Sequence, residues 1–263
     1  MSLKSSKKTD SKKSSTKLSR RQKVWAIFSI SLWVSLVYII ASGAAFIIIL
    51  LMGKLGWLSA QQEALTTAIS GLVTYLVSLG LLFFGIHLAK KYPEKFAILG
   101  IKKEDWAFGG WLTWQQLFLG VAAFIVAMVA MVLVLSFVSQ FIPGFNLEQA
   151  QDIGVSPHSI YKRVDMLMVF SLLVVAAPIC EELVFRGFLY GKLRQVSSVA
   201  ISTIITSLLF GLAHLQPNVA VVTFVMSVVM CLCREATDSI YPAIIVHMLK
   251  NGIAFALLFI VKV

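Results

Sequence analysis

Glu181 and Glu182 stand side by side in a stretch that is otherwise almost wholly apolar, and Arg186 follows Glu182 by four positions. Two histidines, His214 and His247, interrupt later apolar stretches, and Asn251 lies four positions beyond His247. These residue types suit hydrolysis. A carboxylate facing an imidazole in a dry interior can take a proton from water. Glu182 and Arg186 share a helical face and can form an ion pair. Glu181 is rotated by about 100° from Glu182, so the two carboxylates need not do the same work. Pro178 lies one turn before the acids. It cannot donate to the carbonyl of Val174 and is expected to kink the helix there.

The elements that must position these groups are membrane helices. Of 263 residues, 59% are hydrophobic and 13% are charged. Soluble domains carry roughly 25% charge, so a water-facing surface over the whole chain is excluded. Seven apolar segments approach the roughly 20 residues that cross a bilayer: 24–52, 65–89, 112–142, 165–190, 197–215, 218–233 and 240–263. The sixth is the shortest. The expected fold is all-α, a polytopic membrane helix bundle of about seven transmembrane helices, with no internal repeat. Residues 24–263 form the membrane domain, and 1–23 a disordered basic tail.

That tail carries nine Lys or Arg against Asp10, with many Ser and Thr. It lacks aromatic residues and abuts a membrane helix, so anionic headgroups explain it better than nucleic acid does. The remaining basic residues favour the connections on the same side as the tail. Seventeen Lys or Arg fall on that side against four (Lys54, Lys162, Arg163, Lys262) on the other. The expected topology is multi-pass in the plasma membrane, with a cytoplasmic N-terminus. Cys180, Cys231 and Cys233 lie in apolar segments, an arrangement that suits buried thiols rather than a disulfide framework or a zinc site.

A charge near a bilayer centre costs roughly 2.5–3.5 kcal/mol even on the lenient insertion scale. Glu181, Glu182 and Arg186 must therefore face the bundle interior and find partners there. His87 lies near a segment end, where an imidazole needs no special role. Lys250 is expected to snorkel or to pair with a carboxylate. The midpoint between Glu181 and His214 falls at Ser197 and Ser198, in a polar turn. In an antiparallel hairpin those two residues would lie at similar depth. A buried ion pair that only locks helix packing would also account for Glu182 and Arg186, and a lone histidine is often a packing residue. Three polar clusters on three otherwise apolar helices favour a functional site.

The motifs resemble those of a known family. Glu181-Glu182-Leu183-Val184-Phe185-Arg186 matches E-E-x-x-x-R, Phe210-Gly211-Leu212-Ala213-His214 matches F-x-x-x-H, and His247-Met248-Leu249-Lys250-Asn251 matches H-x-x-x-N. Together and in this order they are similar to the CAAX-protease and bacteriocin-processing (CPBP) intramembrane proteases, over a core at 165–263. The resemblance implies an intramembrane endopeptidase acting on a protein or peptide substrate, prenylated or otherwise lipid-modified in the CAAX branch, or working in bacteriocin maturation or immunity. It implies that Glu181 and His214 activate water, that His247 and Asn251 stabilise the oxyanion, and that Glu182 and Arg186 support the site. No cofactor is favoured, because H-E-x-x-H is absent and Asn251 suits an oxyanion better than a metal. The alternative is zinc held by Glu181, His214 and His247 with a water. Two other classes stay open: a non-catalytic membrane immunity or scaffold protein, and a proton-coupled transporter. A transporter would show an internal repeat or paired broken helices, and neither is visible.

Overall fold

The computed structural model describes residues 18–59, 61–100, 106–107, 110–141, 153–156 and 163–261. The tail over residues 1–17 and most of the expected 143–162 loop lie outside the described residues. Among those described, every regular element is helical. The long helices are α1 (Arg20–Lys54), α2 (Glu63–Lys91), α4 (Trp114–Val138), α5 (Arg163–Arg194), α7 (Pro217–Thr237) and α8 (Tyr241–Val261). Two shorter ones are α3 (Pro93–Phe96) and α6 (Val199–Leu212).

Among the described residues, six helices are long and apolar enough to cross a membrane. The remaining expected span, 197–215, is present as α6, with 14 residues, about 21 Å of rise. The short segment is thus the fifth, not the sixth. The reason lies in the ends. Beyond Leu212 the chain leaves the helix, and Leu215 takes a left-handed φ of 60°. The following helix starts with Pro217 in its first turn and continues past Cys233 through a polar turn. There Arg234 pairs with Asp238, and Glu235 with Arg194. Paired charges allow a helix to continue where an apolar pattern stops.

The helices bury narrow stripes. In α1 the buried residues are Ile30, Val34, Val37, Ala41 and Ala45, one face at helical spacing, while Phe28, Ile39, Phe46 and Ile47 point outward. That pattern suits a helix with lipid on most sides. The central post is α5, buried on nearly every side from Val184 to Leu193. Phe185, Phe188 and Leu189 of α5 pack with Ile30, Leu82, Phe210, Met226 and Met230 in the main core.

The connections fall into two groups. Ser156 N–H donates to Glu63, and Thr67 donates to the Gly154 carbonyl, so the start of α2 adjoins the segment leading to α5. At the opposite end, Lys192 reaches the Gly100 carbonyl, Tyr190 and Arg194 bond Glu235, and Ile240 N–H donates to the Ala107 carbonyl. Arg20, Lys90, Lys91, Lys192, Arg194 and Arg234 thus share one end of the bundle with the start of α1.

Candidate active site

The site is built on an irregular α5. Ser171–Ala176 and Leu183–Tyr190 are π-helical, and they flank the α-helical turn Ala177–Glu182 that carries both acids. Single π-turns are often found at functional sites. The cause of the first is legible in Pro178. Ala177 N–H donates to the Leu172 carbonyl, five residues back. In that register the carbonyl of Leu173 would look to residue 178, which is proline and has no N–H. Asn251 supplies the missing donor: its Nδ2 lies 2.8 Å from the Leu173 oxygen. The proline thus acts by exposing a carbonyl that holds Asn251 in place.

Glu182 and Arg186 are fully buried and joined at 2.8 Å. Arg186 also donates to Ser227 Oγ at 2.6 Å and lies over the Phe210 ring, 4.4 Å from its centroid. The same Glu182 oxygen accepts from His247 Nδ1 at 2.9 Å. A carboxylate oxygen can only accept, so Nδ1 carries the proton and Nε2 is turned the other way. Nε2 stands 3.9 Å from Glu181 Oε2. The two acids therefore divide. Glu182 is sealed in and orients His247, whereas Glu181 keeps 15% side-chain exposure.

Glu181 opens onto a cavity of about 430 Å³ that His214, His247 and Asn251 also line. The four residues expected to act together border one space. His214 reaches it from just beyond the last turn of α6, not from within a helix. Its own N–H donates to the Gly211 carbonyl, which leaves the Phe210 carbonyl without its usual backbone donor. His214 Nδ1 takes that place at 2.9 Å. A carbonyl only accepts, so Nδ1 bears the proton and Nε2 is left as the acceptor in the neutral ring. The Phe210 ring stands edge-on to His247 and to His214, with centroids 5.6 and 5.0 Å away. Among the described residues no hydrogen bond joins Glu181 to His214.

Several participants had no motif to announce them. Tyr75 of α2 donates to Glu181 Oε1 at 2.8 Å. Asn218 and Lys250 line the cavity, and Lys250 interacts electrostatically with Glu181 without an ion pair to it among the described residues. The only advance signal for Tyr75 was a phenol within an apolar segment. Ser227 and the Leu173 carbonyl offered none. His87 is exposed near the end of α2. The three cysteines are free thiols, Cys231 and Cys233 buried and Cys180 half-buried.

The zinc alternative needs three converging donors. Among the described residues no three His, Cys, Asp or Glu side chains form such a group. One ring nitrogen of each histidine is already committed, to Glu182 and to the Phe210 carbonyl.

Comparison with known proteins bears on the same segment. Residues 163–253 match the family model described as type II CAAX prenyl endopeptidase Rce1-like. The membrane-embedded CAAX protease MroQ of Staphylococcus aureus (strain USA300) is 32% identical over 108 residues, 37% of this chain and 43% of that protein. The chain thus matches less than half the length of MroQ. YdiL of Bacillus subtilis (strain 168), described as a membrane peptidase, is 23% identical over 225 residues, 83% of this chain and 85% of that one. No solved structure matches. Over the segment that carries Glu181, Glu182, Arg186, His214, His247 and Asn251, the chain is similar to the Rce1-like CAAX prenyl endopeptidases.

Proposed function

We propose that the protein is a membrane-embedded endopeptidase in which Glu181 and His214 activate a water for attack on a peptide bond. The carrying observation is the shared cavity, lined by an accessible carboxylate, an imidazole with a free acceptor nitrogen, and two further polar groups. A water there would donate one O–H to Glu181 and the other to His214 Nε2. Glu181 takes the proton as the water oxygen bonds to the carbonyl carbon. Asn251 has two Nδ2 protons and spends one on Leu173, so the second serves the oxyanion; His247 joins it as the imidazolium, the form that carries an N–H on Nε2 as well as the one held by Glu182. Collapse breaks the C–N bond, and Glu181 returns its proton to the departing nitrogen. Each product then carries a new terminus, one carboxyl and one amine.

Apolar side chains, Leu135, Val222, Leu257 and Leu258 among them, line the rest of the cavity. It suits an extended peptide with apolar or lipid-modified side chains, from a CAAX-type or bacteriocin-precursor substrate. The protein sits in the plasma membrane with its basic end, and so its N-terminus, in the cytoplasm.

The test is cleavage of a fluorogenic prenylated C-terminal peptide by purified, detergent-solubilised protein. Wild type is expected to cleave, Glu181→Ala to be inactive, and a zinc chelator to leave the wild-type rate unchanged. Loss of activity on chelation, restored by zinc, would move water activation to a metal held by Glu181, His214 and His247. Equal signals from wild type and Glu181→Ala would favour a non-catalytic immunity or scaffold role.

A further inference from the structure

Among the described residues, Tyr75 is the one group from the N-terminal half of the chain that bonds a candidate catalytic residue, and it lies outside the segment that matches the family model. Its approach is built into α2. Thr67, Gly71, Tyr75 and Ser78 recur at helical spacing on one face. Thr67 bonds the Gly154 carbonyl, Ser78 is 1% exposed, and Gly71 meets α5. A Cβ added at Gly71 would lie 2.7 Å from the Leu172 side chain. Glycine therefore lets the two helices come close, and one turn later the Tyr75 phenol reaches Glu181.

The bond selects between the two oxygens of the carboxylate. Oε1 accepts from Tyr75 at 2.8 Å. Oε2 is the oxygen turned toward His247, at 3.9 Å. Without Tyr75 the carboxylate could rotate about its last torsion, which is broad for glutamate. Either oxygen could then swing away from the cavity.

We propose that Tyr75 is a positioning residue that locks the Glu181 carboxylate, committing Oε1 to the helix interface and leaving Oε2 to take the proton from water. The proposal rests on the peptidase reading above. It makes the N-terminal helices part of the chemistry, since α2 and not only the motif-bearing helices completes the site. Because a misplaced catalytic group costs rate more than binding, Tyr75→Phe is expected to lower kcat about tenfold or more with KM unchanged. Phenylalanine keeps the ring and removes only the donor.

Two measurements decide it. The first compares kcat and KM of wild type, Tyr75→Phe and Glu181→Ala on the prenylated peptide, with thermal unfolding run in parallel. The second needs no activity. 3-Fluorotyrosine is placed at position 75, or at exposed position 92 as a control, and its fluorine NMR signal is followed in wild-type and Glu181→Gln backgrounds. The expected result is a fall in kcat alone, together with a fluorine signal at 75 that moves with Glu181→Gln while that at 92 does not. A Tyr75→Phe enzyme matching wild type while Glu181→Ala is inactive would overturn the proposal and leave the peptidase reading intact. So would a rise in KM at unchanged kcat, or a motionless fluorine signal at 75. Wild type and Glu181→Ala behaving alike would instead overturn the peptidase reading.

Discussion

Glu181 and Glu182 are neighbours in sequence with opposite fates, and the difference comes from what each side chain meets. Glu182 is held through one oxygen by Arg186 and His247 in a dry interior; Glu181 meets a phenol and a cavity. Removing one partner of a buried ion pair strands the other, at a cost of roughly 3–5 kcal/mol. Arg186→Ala is therefore expected to cut thermal stability in detergent by that order. Ser227→Ala, which removes one hydrogen bond to the guanidinium, should cost about 1.5–3 kcal/mol. Asn251 has a double duty, so Asn251→Ala should show two effects. The freed Leu173 carbonyl lowers stability by about 1–3 kcal/mol, and loss of an oxyanion donor lowers kcat by roughly 10²–10³. Peptide cleavage and unfolding curves on the same preparation separate the two.

Helix α5 shows how an element can be irregular for a reason. Pro178 removes a donor, the chain widens into a π-turn, and the orphaned carbonyl becomes an anchor for a side chain from α8. The contact of α6 with α7 depends on a different absence. A Cβ at Gly211 would stand 2.7 Å from the Ala220 backbone oxygen, and a backbone atom in a packed helix yields little. Gly211→Ala is expected to push α6 off α7, lower the unfolding temperature and displace His214 from the cavity, with loss of cleavage. Gly43 is the contrast, with nothing within 4 Å of an added Cβ. Gly43→Ala in α1 should be neutral or stabilising by up to about 1 kcal/mol, and comparing the two unfolding midpoints checks the difference.

At the scale of the whole molecule, polar groups concentrate at the centre and at one end. Arg194 and Glu235 form a two-pronged pair at the basic end, each about one-third exposed. Exposed pairs contribute about 1 kcal/mol or less and are screened by salt. Arg194→Ala is accordingly expected to leave cleavage intact and to lower stability slightly, by less at high salt. The proposed orientation has its own check. A cysteine replacing Ser59, in the connection between α1 and α2, should react with a membrane-impermeant maleimide on intact cells. One replacing Glu94, beside the basic end, should react only after lysis. The reverse pattern would invert the topology.

Hydropathy alone dictates the solvent and the stakes. Long apolar runs require lipid, and charges within them must be collected in the interior, because an isolated one costs too much. That reasoning picked out Glu181, Glu182, Arg186, His214 and His247, and the spacing from His247 and the family motif added Asn251; all of them border one cavity or support it. It also anticipated that Pro178 would disturb α5. What tertiary structure decided is who satisfies whom. Backbone carbonyls have no letter in a sequence, so the anchoring of Asn251 by Leu173 and of His214 by Phe210 was invisible. Tyr75 and Ser227 looked like ordinary polar residues in apolar helices until packing brought them to Glu181 and Arg186. The length of α7 was misjudged because its last turn is polar, and only the partners of Arg234 and Glu235 make that turn helical. Hydropathy records the cost of leaving water, whereas pairing depends on distances between helices far apart in the chain.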